Sequence, residues 1–185
     1  MPLCQPDGWD VFSEWRDVPL VTPRSCRRRE EIRKELGIEL ETRPVVLVGG
    51  RSTLDQEAFS SAVQTCPNYH FLRNDRLPCF HDLVRACDVV VSKLGYSIAA
   101  ECIAEGRALL YPPRDGFREE RILAIEVPKY TRTLPIAAAD WRIGRWKAGL
   151  DRISRVAMPK PKIAVDGAEV CAREILERFR RTIKG

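Results

Sequence analysis

Histidine and methionine are scarce in this chain, with two of each in 185 residues. His70 and His81 are the only imidazoles, and the seven cysteines include no Cys-x-x-Cys pair. The usual ligand sets for zinc are therefore missing, and no metal is expected. The cysteines stand at 4, 26, 66, 79, 87, 102 and 171. An odd count at irregular spacing argues against a disulfide framework. Cys66, Cys87 and Cys102 lie inside apolar segments and are expected as small buried core residues. No apolar run approaches the roughly 18 residues that a membrane span needs. The opening MPLCQPDGWDVFSEW lacks the basic-then-apolar layout of a signal peptide, so a cytoplasmic location is expected. The phosphate loop G-x-x-x-x-G-K-[ST] is absent, and no G-x-G-x-x-G fingerprint is complete. ATP hydrolysis and nicotinamide chemistry are disfavoured, and no cofactor is expected.

What is present has the balance of an ordinary globular domain: 44% hydrophobic and 31% charged residues. The length fits one domain with a real core. Lys and Arg number 31 against 26 Asp and Glu, a net charge of +5. That mild excess suits a phosphate-bearing ligand or peripheral contact with an anionic membrane surface. It is no nucleic-acid signature. The densest basic stretch, Arg24 to Lys34, reads as a solvated helix start.

Residues 1–23 carry Pro2, Pro6, Pro19 and Pro23, with Trp9 and Trp15 at no clear period. They are expected to be a linker or the remnant of an upstream domain, with the folded domain over 24–185. A charged helix is expected over 25–36, with Ser25 as N-cap and Gly37 at its stop. A strand-helix alternation follows. Val45–Val48 is a continuous apolar run, the mark of a strand buried on both faces. Thr53 and Gln56 form a capping-box pattern opening a helix to about Cys66. Strands are expected at 69–73, 89–91 and 109–111, and a less marked one near 129–132. Phe80, Leu83, Val84 and Cys87 share one helical face. Helices are expected over 97–105, 117–125 and 135–156, the last burying Ile143, Trp146, Leu150 and Ile153. A closing helix from Asp166 is expected to bury Cys171, Ile175, Leu176 and Phe179. This order predicts an α/β fold: a Rossmann-like parallel sheet with helices on both faces. Ligands bind such sheets beyond the carboxyl ends of the strands.

Two glycine turns lie at expected strand ends, Gly49-Gly50-Arg51-Ser52 and Leu94-Gly95-Tyr96-Ser97. Each leads into a helix. A helix amino terminus presents free N–H groups and partial positive charge, and glycine lets a phosphate approach the backbone. Two such turns on neighbouring strands meet the needs of a diphosphate. Glu101 lies four residues after Ser97, one turn into the helix. From there a carboxylate can accept hydrogen bonds from two vicinal ribose hydroxyls while the diphosphate rests at the helix tip. The alternative is a solvent-facing helix glutamate. The loop Arg114-Asp115-Gly116-Phe117-Arg118-Glu119-Glu120 places charge beside the same edge, or is a surface loop with Asp115 capping the next helix.

The stretch DVVVSKLGYSIAAECIAEGRALLYPPRDGFREE, residues 88–120, resembles the C-terminal domain of family 28-type GT-B glycosyltransferases. That group includes the bacterial N-acetylglucosaminyltransferase that makes lipid II. The same stretch also resembles the glycosyltransferase-like domain of plant L-arabinokinase, in its Gly-Tyr turn and its Arg-Asp-x-Phe-x-Glu-Glu loop. The likeness runs over about 18–180 and is specific in 88–120. It implies a single GT-B half that binds a nucleotide-sugar, a UDP-sugar by preference, and needs an N-terminal half for hexosyl transfer. In that resemblance Gly49, Gly50 and Arg51 match the glycine loop facing the donor phosphates. Leu77 and Phe80 match the segment at the uracil base. Gly95, Tyr96, Ser97 and Ile98 match the diphosphate turn. Glu101 matches the ribose-binding glutamate, and Asp115, Glu119 and Glu120 match the loop touching the donor sugar. The chain departs from the lipid II enzyme at Glu120-Arg121, where that enzyme has paired glutamines, so the resemblance does not extend to the sugar. No catalytic residue is carried over, since the acceptor site and base of GT-B enzymes lie mostly in the other half. A separate chain supplying that half is the implied partner. A non-catalytic nucleotide-sugar-binding regulatory module and a fragment of a GT-B-fold sugar-nucleotide epimerase are the alternatives.

Overall fold

The computed structural model describes residues 3, 12–49, 56–77, 79–160 and 162–184. Five strands form one sheet: β1 (Val45–Val48), β2 (His70–Arg73), β3 (Val89–Val91), β4 (Ala108–Tyr111) and β5 (Thr133–Pro135). Every pairing is parallel, in the spatial order β2-β1-β3-β4-β5. β1 is buried throughout, as its unbroken apolar run requires. The helices are α1 (Arg29–Glu35), α2 (Gln56–Thr65), α3 (Phe80–Ala86), α4 (Tyr96–Glu105), α5 (Arg118–Glu126), α6 (Ala138–Arg142), α7 (Lys147–Arg155) and α8 (Gly167–Lys184). The expected Rossmann-like α/β fold is the one observed.

Alternate strand residues feed two cores. Val45, Leu47, Val90 and Leu109 pack with Leu83 and Val84 of α3, Ala99 and Cys102 of α4, and Leu123 of α5. Val46, Val89, Val91 and Leu110 pack on the other face with Ala62 of α2, with Trp146 at the start of α7 and with Leu150 and Ile153 within it. Each fully buried leucine contributes about 1.5–3 kcal/mol relative to exposure. Cys66, Cys87 and Cys102 are buried as expected.

The carboxyl half departs from expectation in three places. The fifth strand is Thr133–Pro135, not 129–132; residues Val127–Lys129 form a 3₁₀ turn instead. The continuous helix over 135–156 is two helices. Gly144 breaks it with φ of 72°, and a Cβ there would stand 2.0 Å from the Ala58 carbonyl oxygen. Ile143 is thereby left 49% exposed, while Trp146, Leu150 and Ile153 are buried. α8 forms, but Ile175, Leu176 and Phe179 are 67%, 54% and 62% exposed, and Cys171 is half-buried. An apolar stripe marks a face that prefers to be covered; it does not supply the cover. α8 is tied instead by ion pairs of Glu174 to Arg16 and Arg178 to Glu14.

At the amino end, α1 starts at Arg29 instead of Ser25, with Glu31 reaching back to the Arg28 backbone and side chain. Ser25 Oγ instead accepts from the Arg27 N–H. Gly37 ends the helix with φ of 69°. Leu20 is fully buried and its N–H donates to the Ala164 carbonyl, so residues 19–22 lie against the segment before α8. No helix among the described residues is long and apolar enough to cross a membrane.

Candidate functional site

The strand order fixes where a crevice opens. The chain passes from β1 outward to β2, then returns across β1 to β3. The crossovers therefore leave in opposite directions at the carboxyl ends of β1 and β3, which is the switch point where open α/β sheets bind ligands. Gly49 ends β1 there, its N–H donating to the Val91 carbonyl at 3.0 Å. A Cβ on Gly49 would lie 2.8 Å from Phe80 Cζ, so this position needs glycine for the Phe80 ring to lie over the strand end. Gly50, Arg51 and Thr53 lie outside the described residues.

Beside this point a cleft of about 380 Å³ is lined by Phe80, Ser92, Lys93, Gly95, Tyr96, Ser97, Ile98, Glu101 and Glu119. Its floor is the first turn of α4. Gly95 is extended, with no atom within 4 Å of where a Cβ would stand, so the glycine leaves open space without being needed for its φ. The Ala99 N–H is taken by the Gly95 carbonyl. The Tyr96 N–H donates to Glu119 Oε1 at 3.3 Å. The Ser97 and Ile98 amides are the orphan donors that every helix start leaves. The Tyr96 hydroxyl turns back to accept from the Val21 N–H at 3.4 Å.

One turn further along α4, Glu101 is 8% exposed. Its Oε2 is buried with no hydrogen-bond partner. Burial first, and the Glu105 charge second, push its carboxyl up to about 7. A buried, unsatisfied carboxyl oxygen costs free energy until a donor reaches it. Two neighbouring hydroxyls on a ligand would be such donors.

The loop after β4 is braced to this floor by Arg114. Its Nε and backbone N–H both donate to Glu120, at 2.7 Å each, and its Nη2 donates to the Leu94 carbonyl at 2.9 Å. The guanidinium also lies 3.9 Å from the Phe117 ring centre.

Of the residues singled out from sequence, the cleft brings together Phe80, Gly95, Tyr96, Ser97, Ile98, Glu101 and Glu119, with Gly49 behind the Phe80 ring. Leu77 is half-buried and packs on the first core. Asp115 is exposed on the loop, and Glu120 is turned onto Arg114; neither lines the cleft. Ser92 and Lys93 line it and were not foreseen. Their signal was position, directly after a buried strand at the carboxyl edge. His70 Nδ1 pairs with Glu41 at 2.9 Å, away from this site.

A plant L-arabinokinase is similar to this chain. The protein, from Arabidopsis thaliana, is 27% identical over 182 residues, covering 90% of this chain. The chain spans only 17% of that protein's length. In fold, the chain is similar to the crystal structure of the glycosyltransferase VinC in complex with DTDP, at a TM-score of 0.49 and 17% identity. That likeness covers 78% of this chain and 41% of VinC's. No family model matches the chain.

Proposed function

We propose that this domain binds a nucleoside-diphosphate sugar, a UDP-sugar by preference, in the cleft over α4, and serves as the donor half of a glycosyltransferase. The observation that carries the reading is the Glu101 carboxyl, buried and unpartnered one turn beyond a helix tip that opens on that cleft. The diphosphate lies against the Ser97 and Ile98 amides, and Lys93 adds positive charge. Glu101 accepts from the ribose hydroxyls. Phe80 offers an apolar surface to the base.

In the transfer, the bond between the sugar's anomeric carbon and the phosphate oxygen breaks, and UDP leaves with the electron pair. The acceptor hydroxyl oxygen forms the new bond, and its proton passes to a base on the other half. The contribution of this chain is electrostatic. Backbone dipoles and Lys93 stabilise charge growing on the leaving diphosphate. With one wall of the active site present, the isolated chain binds UDP with micromolar to millimolar affinity, about −4 to −8 kcal/mol, and transfers no sugar alone.

A second reading is a non-catalytic module that senses nucleotide-sugars. The similarity to L-arabinokinase favours it, because the matching protein is named for a kinase activity and this chain matches a minor part of it. Both readings need the same site. Calorimetry with UDP on the wild type and Glu101→Ala tests that site. Binding that is lost or strongly weakened in the variant supports it. Equal binding removes Glu101 from the site, and no heat with UDP, TDP or GDP overturns the reading altogether. A mixture with a separate N-terminal half that turns over UDP-sugar separates the first reading from the second.

A further inference from the structure

A second cleft, of about 450 Å³, opens at the opposite edge of the sheet, among residues preceding β1, β3 and β5. Arg33 of α1, Glu41 and Arg43 before β1, Asp88 before β3, Arg132 before β5 and Ser154 of α7 line it. Both carboxylates are already committed. Glu41 is gripped by Arg43 Nε at 2.9 Å and Nη2 at 2.6 Å. Arg43 first, with a smaller contribution from His70, holds it down to about 2. Asp88 pairs with Arg29 at 2.7 Å, and its other oxygen accepts from the Val45 N–H at 2.8 Å.

Of the three arginines in the lining, Arg43 is paired with Glu41, but Arg33 and Arg132 are not committed in the same way. Arg33 donates to the carbonyls of Ala86 at 3.2 Å and Glu41 at 2.9 Å, which fix its position and leave its charge unneutralised. A guanidinium has five donors, so others remain for a ligand. Arg132 has no acidic partner among the described residues, and its Nε is buried with no acceptor. Ser154 is spent, its hydroxyl donating to the Leu150 carbonyl at 2.8 Å. Two uncompensated guanidinium charges thus share one cleft. Guanidinium groups match phosphate oxygens in both geometry and charge.

We infer that this cleft binds a phosphate dianion, as inorganic phosphate or a phosphate monoester, between Arg33 and Arg132. The site is separate from the cleft over α4 and does not depend on the function proposed there. A single dianion balances the two unpaired charges.

The test is thermal unfolding of the whole chain titrated with inorganic phosphate at constant ionic strength, since a ligand of the native state stabilises it saturably. Arg132→Ala and Arg132→Lys are compared with Arg180→Ala, which removes the same charge from exposed α8. The expected result is a saturable stabilisation of the wild type, unchanged in Arg180→Ala. Arg132→Ala weakens it by about tenfold or more, and Arg132→Lys partly restores it. Equal responses from Arg132→Ala and the wild type overturn the site, as does a wild type that responds to phosphate no more than to chloride. Sedimentation with phosphatidylcholine vesicles, with and without phosphatidic acid, separates the sources. Retention on phosphatidic acid that Arg132→Ala abolishes assigns the same site to a lipid headgroup; no retention beside phosphate stabilisation assigns it to a soluble phosphate.

Discussion

Glu119 Oε1 stands 3.3 Å from the Tyr96 amide nitrogen, a carboxylate seated at the tip of the helix whose next turn carries Glu101. The pair shows what the α4 terminus attracts, which is negative charge. It also means that an incoming diphosphate meets a resident anion. Replacing Glu119 with alanine removes that competitor. UDP affinity is expected to rise by about threefold to thirtyfold, while uridine, with no phosphate, binds as before. Calorimetry with both ligands checks this. Weaker UDP binding in the variant would make Glu119 a ligand contact instead.

Glu101 sets a pH dependence. Its carboxyl is raised to about 7 by burial and by Glu105, so the native state holds a proton that the unfolded chain releases near the ordinary carboxylate value. Stability from this group is fully present below about 4.5 and is lost as pH rises through about 7. Glu101→Gln removes the ionisation and is expected to stabilise the unliganded protein at pH 8 by about 2–3 kcal/mol, with no gain at pH 4. Ligand hydroxyls favour the ionised form, so UDP binding by the wild type should weaken about tenfold from pH 8 to pH 6. The protonation of UDP itself is read from the same titration on Glu101→Gln. Denaturant unfolding and calorimetry across that range give both numbers.

Arg114 is a positioning residue for the cleft. Its removal leaves Glu120, 5% exposed, without its cation, and unties the loop after β4 from the Leu94 carbonyl. Arg114→Ala is expected to cost about 2–3 kcal/mol in urea unfolding. The double variant Arg114→Ala with Glu120→Gln recovers part of that cost, because the orphaned charge is gone.

Gly144→Ala tests the fold independently of the site. Its φ of 72° and the 2.0 Å approach of the Ala58 carbonyl leave no room for a methyl group. The expected loss is about 3 kcal/mol or more, with insoluble expression as its extreme form. A lowering of Tm under about 3 °C would contradict the helix break.

The sheet was legible because its central strands are unbroken apolar runs bounded by punctuating residues. Val45–Val48 ends at Gly49, and Ala108–Tyr111 ends at Pro112-Pro113. β5 lacks such a run. Thr133-Leu134-Pro135 is a strand because Leu109, Leu110 and Tyr111 offer it an edge, a cause outside its own three residues. The split at Gly144 leaves little trace in the sequence because the apolar period continues almost unchanged across it; only the backbone turn displaces Ile143. On α8 the apolar stripe was legible, but whether anything covers it is a property of the surroundings. At the cleft, Gly95 and Glu101 followed from a strand-turn-helix pattern. The Arg114–Glu120 brace did not, since it depends on Gly116 turning the loop at φ of 80°.

The most direct test crosses a change in ligand with a change in protein. UDP and its 2′,3′-dideoxy analogue are titrated into the wild type and into Glu101→Ala. If Glu101 receives the ribose hydroxyls, the wild type prefers UDP by about 10- to 100-fold and the variant binds both with the same reduced affinity. Equal preference for UDP in both proteins, or none in the wild type, would contradict a pentose at Glu101.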